Sequence, residues 1–279
     1  MNNFKLINAA IILVAFMTSL HSYSKSALLV THYGSSDDTT RSLTIDRITE
    51  DMRRAFPSVE VREAYISPVV RRNLEKKGLK TDSPVDALLR LQVEGFDSVY
   101  VQSTTIIDGI EMEEVRKSVR LVAPFFAFVK VGNSLLFTPD DCCRLVEILA
   151  DYPSDGNQAI VYVGHGNDQP STATYTQLDY MLHLRGLSRF HVSTIEGFPD
   201  VNSTITELSA DKKLKKVTLL PLLLVCGNHT KQDIAGDFAD ALRKKGYRVE
   251  TILRGLAELP AVRKLYVEKA RKLIEGEKI

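Results

Sequence analysis

Cysteine is scarce in this chain, with three residues in 279, two of them adjacent (Cys142 and Cys143). Vicinal cysteines rarely bridge each other for geometric reasons, so no disulfide framework is expected and the fold rests on its core. Charge of one sign is also lacking: 36 Lys plus Arg stand against 35 Asp plus Glu, a formal net charge of +1. There is no global basic field of the kind nucleic-acid binding draws on, and an anionic ligand has to be held by a local cluster. Low-complexity tracts are missing, and 44% hydrophobic with 25% charged residues is an ordinary globular composition. Familiar nucleotide and hydrolase motifs are missing as well. Gly164-His165-Gly166 has Gln169 where a dinucleotide fingerprint needs glycine, and there is no P-loop or nucleophile-elbow serine.

One apolar run stands apart from the rest. Leu6 to Leu20 follows Lys5 and gives way to His21-Ser22-Tyr23-Ser24. It is shorter than the roughly 20 residues of a spanning helix, and small residues follow it. Residues 1–24 therefore read as a secretory signal peptide, and the chain as periplasmic or otherwise exported, with no stable membrane insertion after cleavage. An uncleaved anchor is the other reading of the same run. No cysteine follows the run, which argues against a lipoprotein.

From Ala27 onward, short β-branched and aliphatic runs alternate with segments of helical period, the βαβ signature. Eight strands are predicted: 27–31, 59–66, 98–103, 125–131, 159–163, 191–195, 217–225 and 248–253. Runs such as Val217 to Val225 are apolar at almost every position, as in parallel sheets covered on both faces. Pro221 interrupts that run. Ser83-Pro84-Val85-Asp86 and Thr138-Pro139-Asp140-Asp141 are helix starts, each with a capping hydroxyl, a first-turn proline and an acid near the positive helix end. With residues 151–158 as linker, the chain divides into an N-terminal α/β lobe over 25–152 and a C-terminal α/β lobe over 153–279. Each is a parallel sheet of about four strands flanked by helices, and a ligand cleft lies between them.

The halves resemble each other. The segment Ala27 to Gly34 aligns with Ala159 to Gly166, and Val99 to Glu111 aligns with Val217 to His229. His165 then stands opposite Tyr33 and His229 opposite Glu111, so the imidazoles belong to the second half alone. Ligands of open α/β sheets bind outside the carboxyl ends of the strands. His165, Glu196 and His229 follow the first, second and third strands of their half and can converge there. Two imidazoles and a carboxylate suit a divalent first-row metal such as Co²⁺, Ni²⁺, Fe²⁺ or Zn²⁺. Glycines beside both histidines allow tight turns and close approach.

Other candidates carry less. His32 either lines the cleft or is a satisfied core histidine. His183, on a helix, and His191, opening a strand, read as structural. Cys226 reads as packing, with soft ligation as the alternative. The basic run Lys212 to Lys216 reads as a solvated loop, its functional alternative being attraction of an acidic ligand.

These residues resemble the class II chelatases, most closely the anaerobic sirohydrochlorin cobaltochelatases. The blocks that carry the likeness are Leu28-Leu-Val-Thr-His-Tyr-Gly-Ser-Ser, Val101-Gln-Ser-Thr-Thr-Ile-Ile-Asp-Gly, Val163-Gly-His-Gly, Glu196-Gly-Phe-Pro-Asp and Leu220-Pro-Leu-Leu-Leu-Val-Cys-Gly-Asn-His, with Gly255-Leu-Ala-Glu-Leu-Pro near the end. The resemblance implies a lyase that inserts a divalent metal, Co²⁺ first and Fe²⁺ or Ni²⁺ next, into sirohydrochlorin or a related tetrapyrrole. It implies His165, Glu196 and His229 as metal ligands, with His165 and Glu196 catalytic and His165 the proton acceptor. The metal is a substrate, no organic cofactor is expected, and the family assembles as homo-oligomers. The sequence departs from the family at Thr105, where exported members have a haem-associated histidine, so no haem site is carried over. The stretch after His229 is also shorter than the family's. Arg41, Arg62, Arg71 and Lys231 are candidates for holding an acidic macrocycle. The alternative function is a non-catalytic periplasmic protein binding a metal or haem through the same ligands. Tetrapyrrole synthesis uses a cytoplasmic precursor, so an export signal points instead to a role in metal or tetrapyrrole uptake.

Overall fold

A computed structural model describes residues 25–154, 157–227 and 232–276. The leader expected at 1–24 lies outside them, as does His229. Eight strands form two four-stranded sheets, all parallel within each sheet. The first contains β1 (Ser26–His32), β2 (Glu60–Tyr65), β3 (Ser98–Ser103) and β4 (Phe128–Val131), in the order β2-β1-β3-β4. The second contains β5 (Gln158–Gly164), β6 (Phe190–Thr194), β7 (Lys216–Pro221) and β8 (Arg248–Thr251), in the order β6-β5-β7-β8. The repeat seen in the sequence persists in the register, since Ala27 pairs with Val99 and Ala159 pairs with Val217. The central strands β1 and β5 are buried almost throughout, as a sheet covered on both faces requires. The edge strands β4 and β8 are half exposed.

Two strands are shorter than their apolar runs. β4 begins at Phe128 because Ala123–Phe125, with Pro124 inside, closes a 3₁₀ turn first. β7 stops at Pro221, which has no N–H to give a ladder. Beyond it, Leu223 and Leu224 accept from the amides of Leu256 and Ala257 instead.

Helices begin where the side chains cap them. Ser83 accepts from the Asp86 amide at the start of the helix Pro84–Val93, and Thr138 accepts from Asp141 at the start of the helix Pro139–Ala150. Both form full capping boxes. Numbered along the chain, the helices used below are α1 (Asp38–Leu43), α2 (Ile45–Ala55), α3 (Pro68–Glu75), α4 (Pro84–Val93), α5 (Ile110–Val122), α6 (Pro139–Ala150), α7 (Ala173–Leu184), α8 (Val201–Leu208), α9 (Ala239–Lys244) and α10 (Pro260–Glu275).

The lobes trade helices. α6 ends the first half but packs on α7 of the second, and α10 ends the second half but packs on α2 and β3 of the first. The buried Tyr266 hydroxyl donates to the Thr104 carbonyl (2.9 Å), and Lys269 pairs with Asp141 (2.8 Å) with both side chains largely buried. The largest apolar cluster draws Leu28 and Val30 from one sheet and Ile160 and Tyr162 from the other, with Leu145 and Tyr266 between. Smaller clusters cover the outer face of each sheet.

His32, the last residue of β1, is fully buried. Its ring nitrogens lie 2.9 Å from the Thr104 hydroxyl and 3.0 Å from that of Thr49, so it is a satisfied core histidine. Burial lowers its pKa from 6.5 to about 3. Between those values the unfolded chain binds a proton that the folded chain refuses, so stability falls as pH drops through this window. The limiting slope from one such group is about 1.4 kcal/mol per pH unit. In urea titrations from pH 7 to pH 4, His32→Gln should lose less stability than the parent. Equal losses in both chains would show that His32 does not set this slope.

Candidate metal centre

β5 and β6 lie side by side, so the residues leaving their carboxyl ends are neighbours. Gly164 pairs with Thr194 at the end of the ladder. The pairing then continues past both strands: the Ile195 amide donates to Gly164 O (3.0 Å) and the Glu196 amide to His165 O (2.7 Å). His165 and Glu196 are thus held backbone to backbone, with His165 Nδ1 3.9 Å from Glu196 Oε2. Both side chains are more than half exposed, at 56% and 67%. His165 Nδ1 also lies 3.0 Å from Gly166 O. A carbonyl can only accept, so this contact places the proton on Nδ1 and leaves the Nε2 lone pair for a metal or a proton.

Gly166 makes the arrangement possible. Its φ of +77° is one that side-chain-bearing residues rarely adopt, and a Cβ there would stand 1.5 Å from the Glu196 carbonyl oxygen. Gly164 is crowded in turn by the buried ring of Tyr175, 2.3 Å from where its Cβ would be. The sequence points to glycine as freedom to turn, but the closer constraint is backbone packed on backbone.

The loop faces the first lobe. Gly109, capping α5 after β3, approaches the side chains of Asn167 and Ser171, and a two-pronged Asp108–Arg116 ion pair (2.6 and 2.7 Å) braces that turn. Among the described residues, large apolar side chains stand exposed after five strand carboxyl ends: Tyr33 after β1, Val69 after β2, Ile110 after β3, Phe137 after β4 and Phe198 after β6. Strand ends with a metal-capable pair and exposed aromatic side chains suit a flat, partly apolar ligand.

Of the three expected ligands, the structure brings His165 and Glu196 together. The chain leading towards His229 leaves β7 at Pro221 and runs beneath Gly255 to Ala257, and residues 228–231 are outside the described part. Cys226 is buried, in keeping with packing. The basic run leads into the amino end of β7, opposite the candidate site. Arg41, Arg62 and Arg71 are engaged within their own lobe, by Asp38, by Glu60 and Glu94, and by the carbonyls of Tyr65 and Ile66. Lys231 falls outside the described residues.

A second metal-capable group was not anticipated. Asp179 and His183 on α7 and His191 on β6 place ligand atoms within 4.8 Å of one another. The i,i+4 spacing of Asp179 and His183 was the available signal, but His191 joins them only through the packing of α7 along β6.

The fold and strand-end pair define a two-lobed α/β protein of the chelatase type. A family model described as cobalt chelatase (CbiK) matches residues 26–275, and the chain belongs to that family. It is 31% identical over 250 residues to the sirohydrochlorin cobaltochelatase of Salmonella typhimurium, covering 87% of this chain and 94% of that one. It is 32% identical over 244 residues to the sirohydrochlorin cobaltochelatase CbiKC of Nitratidesulfovibrio vulgaris, covering 84% and 86%. Among solved structures, SirB from Bacillus subtilis with Fe³⁺ superposes with a TM-score of 0.66 at 15% identity, covering 91% of this chain and 98% of that one, a likeness of fold.

Gly166→Ala should destabilise the chain by about 2–4 kcal/mol, from left-handed backbone plus overpacking against Glu196. Chemical unfolding measures the loss, and a change below about 0.5 kcal/mol, the usual range of surface substitutions, would contradict the close contact.

Proposed function

We propose that this chain is a chelatase that inserts a divalent metal ion, Co²⁺ foremost, into sirohydrochlorin or a closely related tetrapyrrole. The observation that carries the reading is the locked pairing of His165 with Glu196 at adjacent strand ends, both exposed, within a chain of this family. Insertion replaces two pyrrole N–H protons by a metal, so a chelatase must hold the ion by ligands it can surrender and supply a base for the protons. Because Nδ1 is occupied by the Gly166 carbonyl, the one lone pair of His165 Nε2 serves the two tasks in succession, holding the ion first and taking one of the two protons once the ion has passed to the macrocycle, the other proton going to Glu196 or water. Glu196, long and exposed, supplies a carboxylate that can follow the ion. His229 is the third ligand implied by the family resemblance. A partial set of two imidazoles and one carboxylate leaves coordination positions for the macrocycle nitrogens, so the ion can be passed on. Exposed apolar side chains after the strand ends, such as Tyr33 and Phe198, are candidates to meet the flat ring.

Co²⁺ is preferred here to Fe²⁺ and Ni²⁺ because the relatives of similar length carry cobalt in their names; the donor set accepts all three. We further propose export through residues 1–24, on the grounds of the short apolar run after Lys5, and assembly as a homo-oligomer, as the family resemblance implies. Among the described residues, no helix is long and apolar enough to cross a membrane. The mass of the protein recovered after expression tests export: loss of about the first 24 residues, as for a cleaved signal, is expected, and an intact leader opposes it.

With sirohydrochlorin and excess Co²⁺, the change in tetrapyrrole absorption should proceed through many turnovers per chain. His165→Ala should lower the rate by at least about 100-fold, the lower bound for losing a general base. Its thermal unfolding should stay near the parent's because the side chain is exposed. A single stoichiometric binding event, without turnover, would instead describe a binding protein.

A further inference from the structure

The second sheet ends at β6, whose outer edge has no strand beside it. α7 runs along that edge, and Asp179 Oδ1 accepts from the Val192 amide (2.7 Å), taking the place of a ladder partner. The other carboxylate oxygen is not used in this way. Asp179 Oδ2 lies 3.6 Å from His183 Nδ1, too far for a hydrogen bond. It is close to the edge of about 3.4 Å that separates two ligands of a tetrahedral zinc ion with bonds of about 2.0–2.1 Å. His191 faces the same point, its ring edge-on to that of His183 with centroids 5.1 Å apart. The three ligand atoms fall within 4.8 Å of one another.

A further observation favours an ion over a plain hydrogen-bonded network. His191, itself largely buried, has Nδ1 3.2 Å from Glu207 Oε2 on α8. A carboxylate that takes the Nδ1 proton of histidine presents Nε2 as the metal-binding atom, the usual outer-sphere arrangement of zinc sites.

We propose that Asp179, His183 and His191 form a resident zinc-type site, distinct from the strand-end centre, with Glu207 orienting His191. One carboxylate and two imidazoles fill three positions, and water completes the fourth. The site fastens α7 to β6, the strand whose carboxyl end delivers Glu196. It is structural: Asp179 and His191 are largely buried, and the cluster lies on the amino half of β6, away from the His165–Glu196 pair.

The test uses the whole chain, stripped with a chelator, reloaded with Zn²⁺ alone and passed through gel filtration before metal analysis. In a His165→Ala/His229→Ala background, one Zn²⁺ per chain is expected to remain, and adding His183→Gln should remove it. His183 is one-third exposed, so this variant should fold; thermal unfolding in chelator, equal to that of the parent, checks it. In the same His165→Ala/His229→Ala background, added Zn²⁺ should raise Tm by several degrees and, once His183→Gln is added, leave it unmoved. Zn²⁺ retention that is absent in the parent background, or unchanged by both His183→Gln and Asp179→Asn, would overturn the site. The inference does not rest on the chelatase reading: a failure of that reading appears as absent turnover and leaves the Zn²⁺ stoichiometry untouched.

Discussion

The hydrogen bond from the Glu196 amide to the His165 carbonyl is the contact on which the centre depends. Without it, two loops would carry two exposed, flexible side chains, and ordering them on a metal would cost side-chain and backbone entropy at the moment of binding. With it, the β5–β6 ladder is extended beyond the strands, and the two side chains leave neighbouring backbone positions. The bond exists only because residue 166 lacks a Cβ: the chain turns back through a left-handed conformation directly against Glu196. A small backbone fact thus becomes a property of a metal site.

The lobes have one architecture and two chemistries. Their strand orders match, and their registers match down to Ala27–Val99 and Ala159–Val217. Yet Tyr33 occupies in one lobe the place His165 takes in the other. One lobe therefore presents the His165–Glu196 pair at its strand ends, while the other presents Tyr33 and the braced Asp108–Arg116 turn. The exchange of α6 and α10 ties the halves through a shared core, with Tyr266 reaching Thr104 and Lys269 reaching Asp141.

Much of this was legible in the sequence because parallel strands buried on both faces write long apolar runs, and because capping boxes announce helices at Ser83 and Thr138. The repeat, and with it the restriction of the imidazoles to one half, could be read by aligning the chain with itself. What escaped depends on neighbours distant in sequence. The apolar run continues through Val225 past Pro221 because its backbone there pairs with residues 256 and 257 rather than in a ladder, while its side chains enter three different apolar clusters. The amphipathic face of α10 does not say which lobe it will cover. Asp179, His183 and His191 read as structural singly, since only the packing of α7 along the free edge of β6 brings them to one point.

The central claim is that the ion handed to the macrocycle is held by His165. X-ray absorption at the cobalt edge, on the His183→Gln chain loaded with one equivalent of Co²⁺, reads the ligands directly while removing the edge cluster from the signal. Two imidazoles are expected around the ion, falling to one when His165→Ala is added. A shell of oxygen ligands alone, or an imidazole count that His165→Ala leaves unchanged, would contradict it.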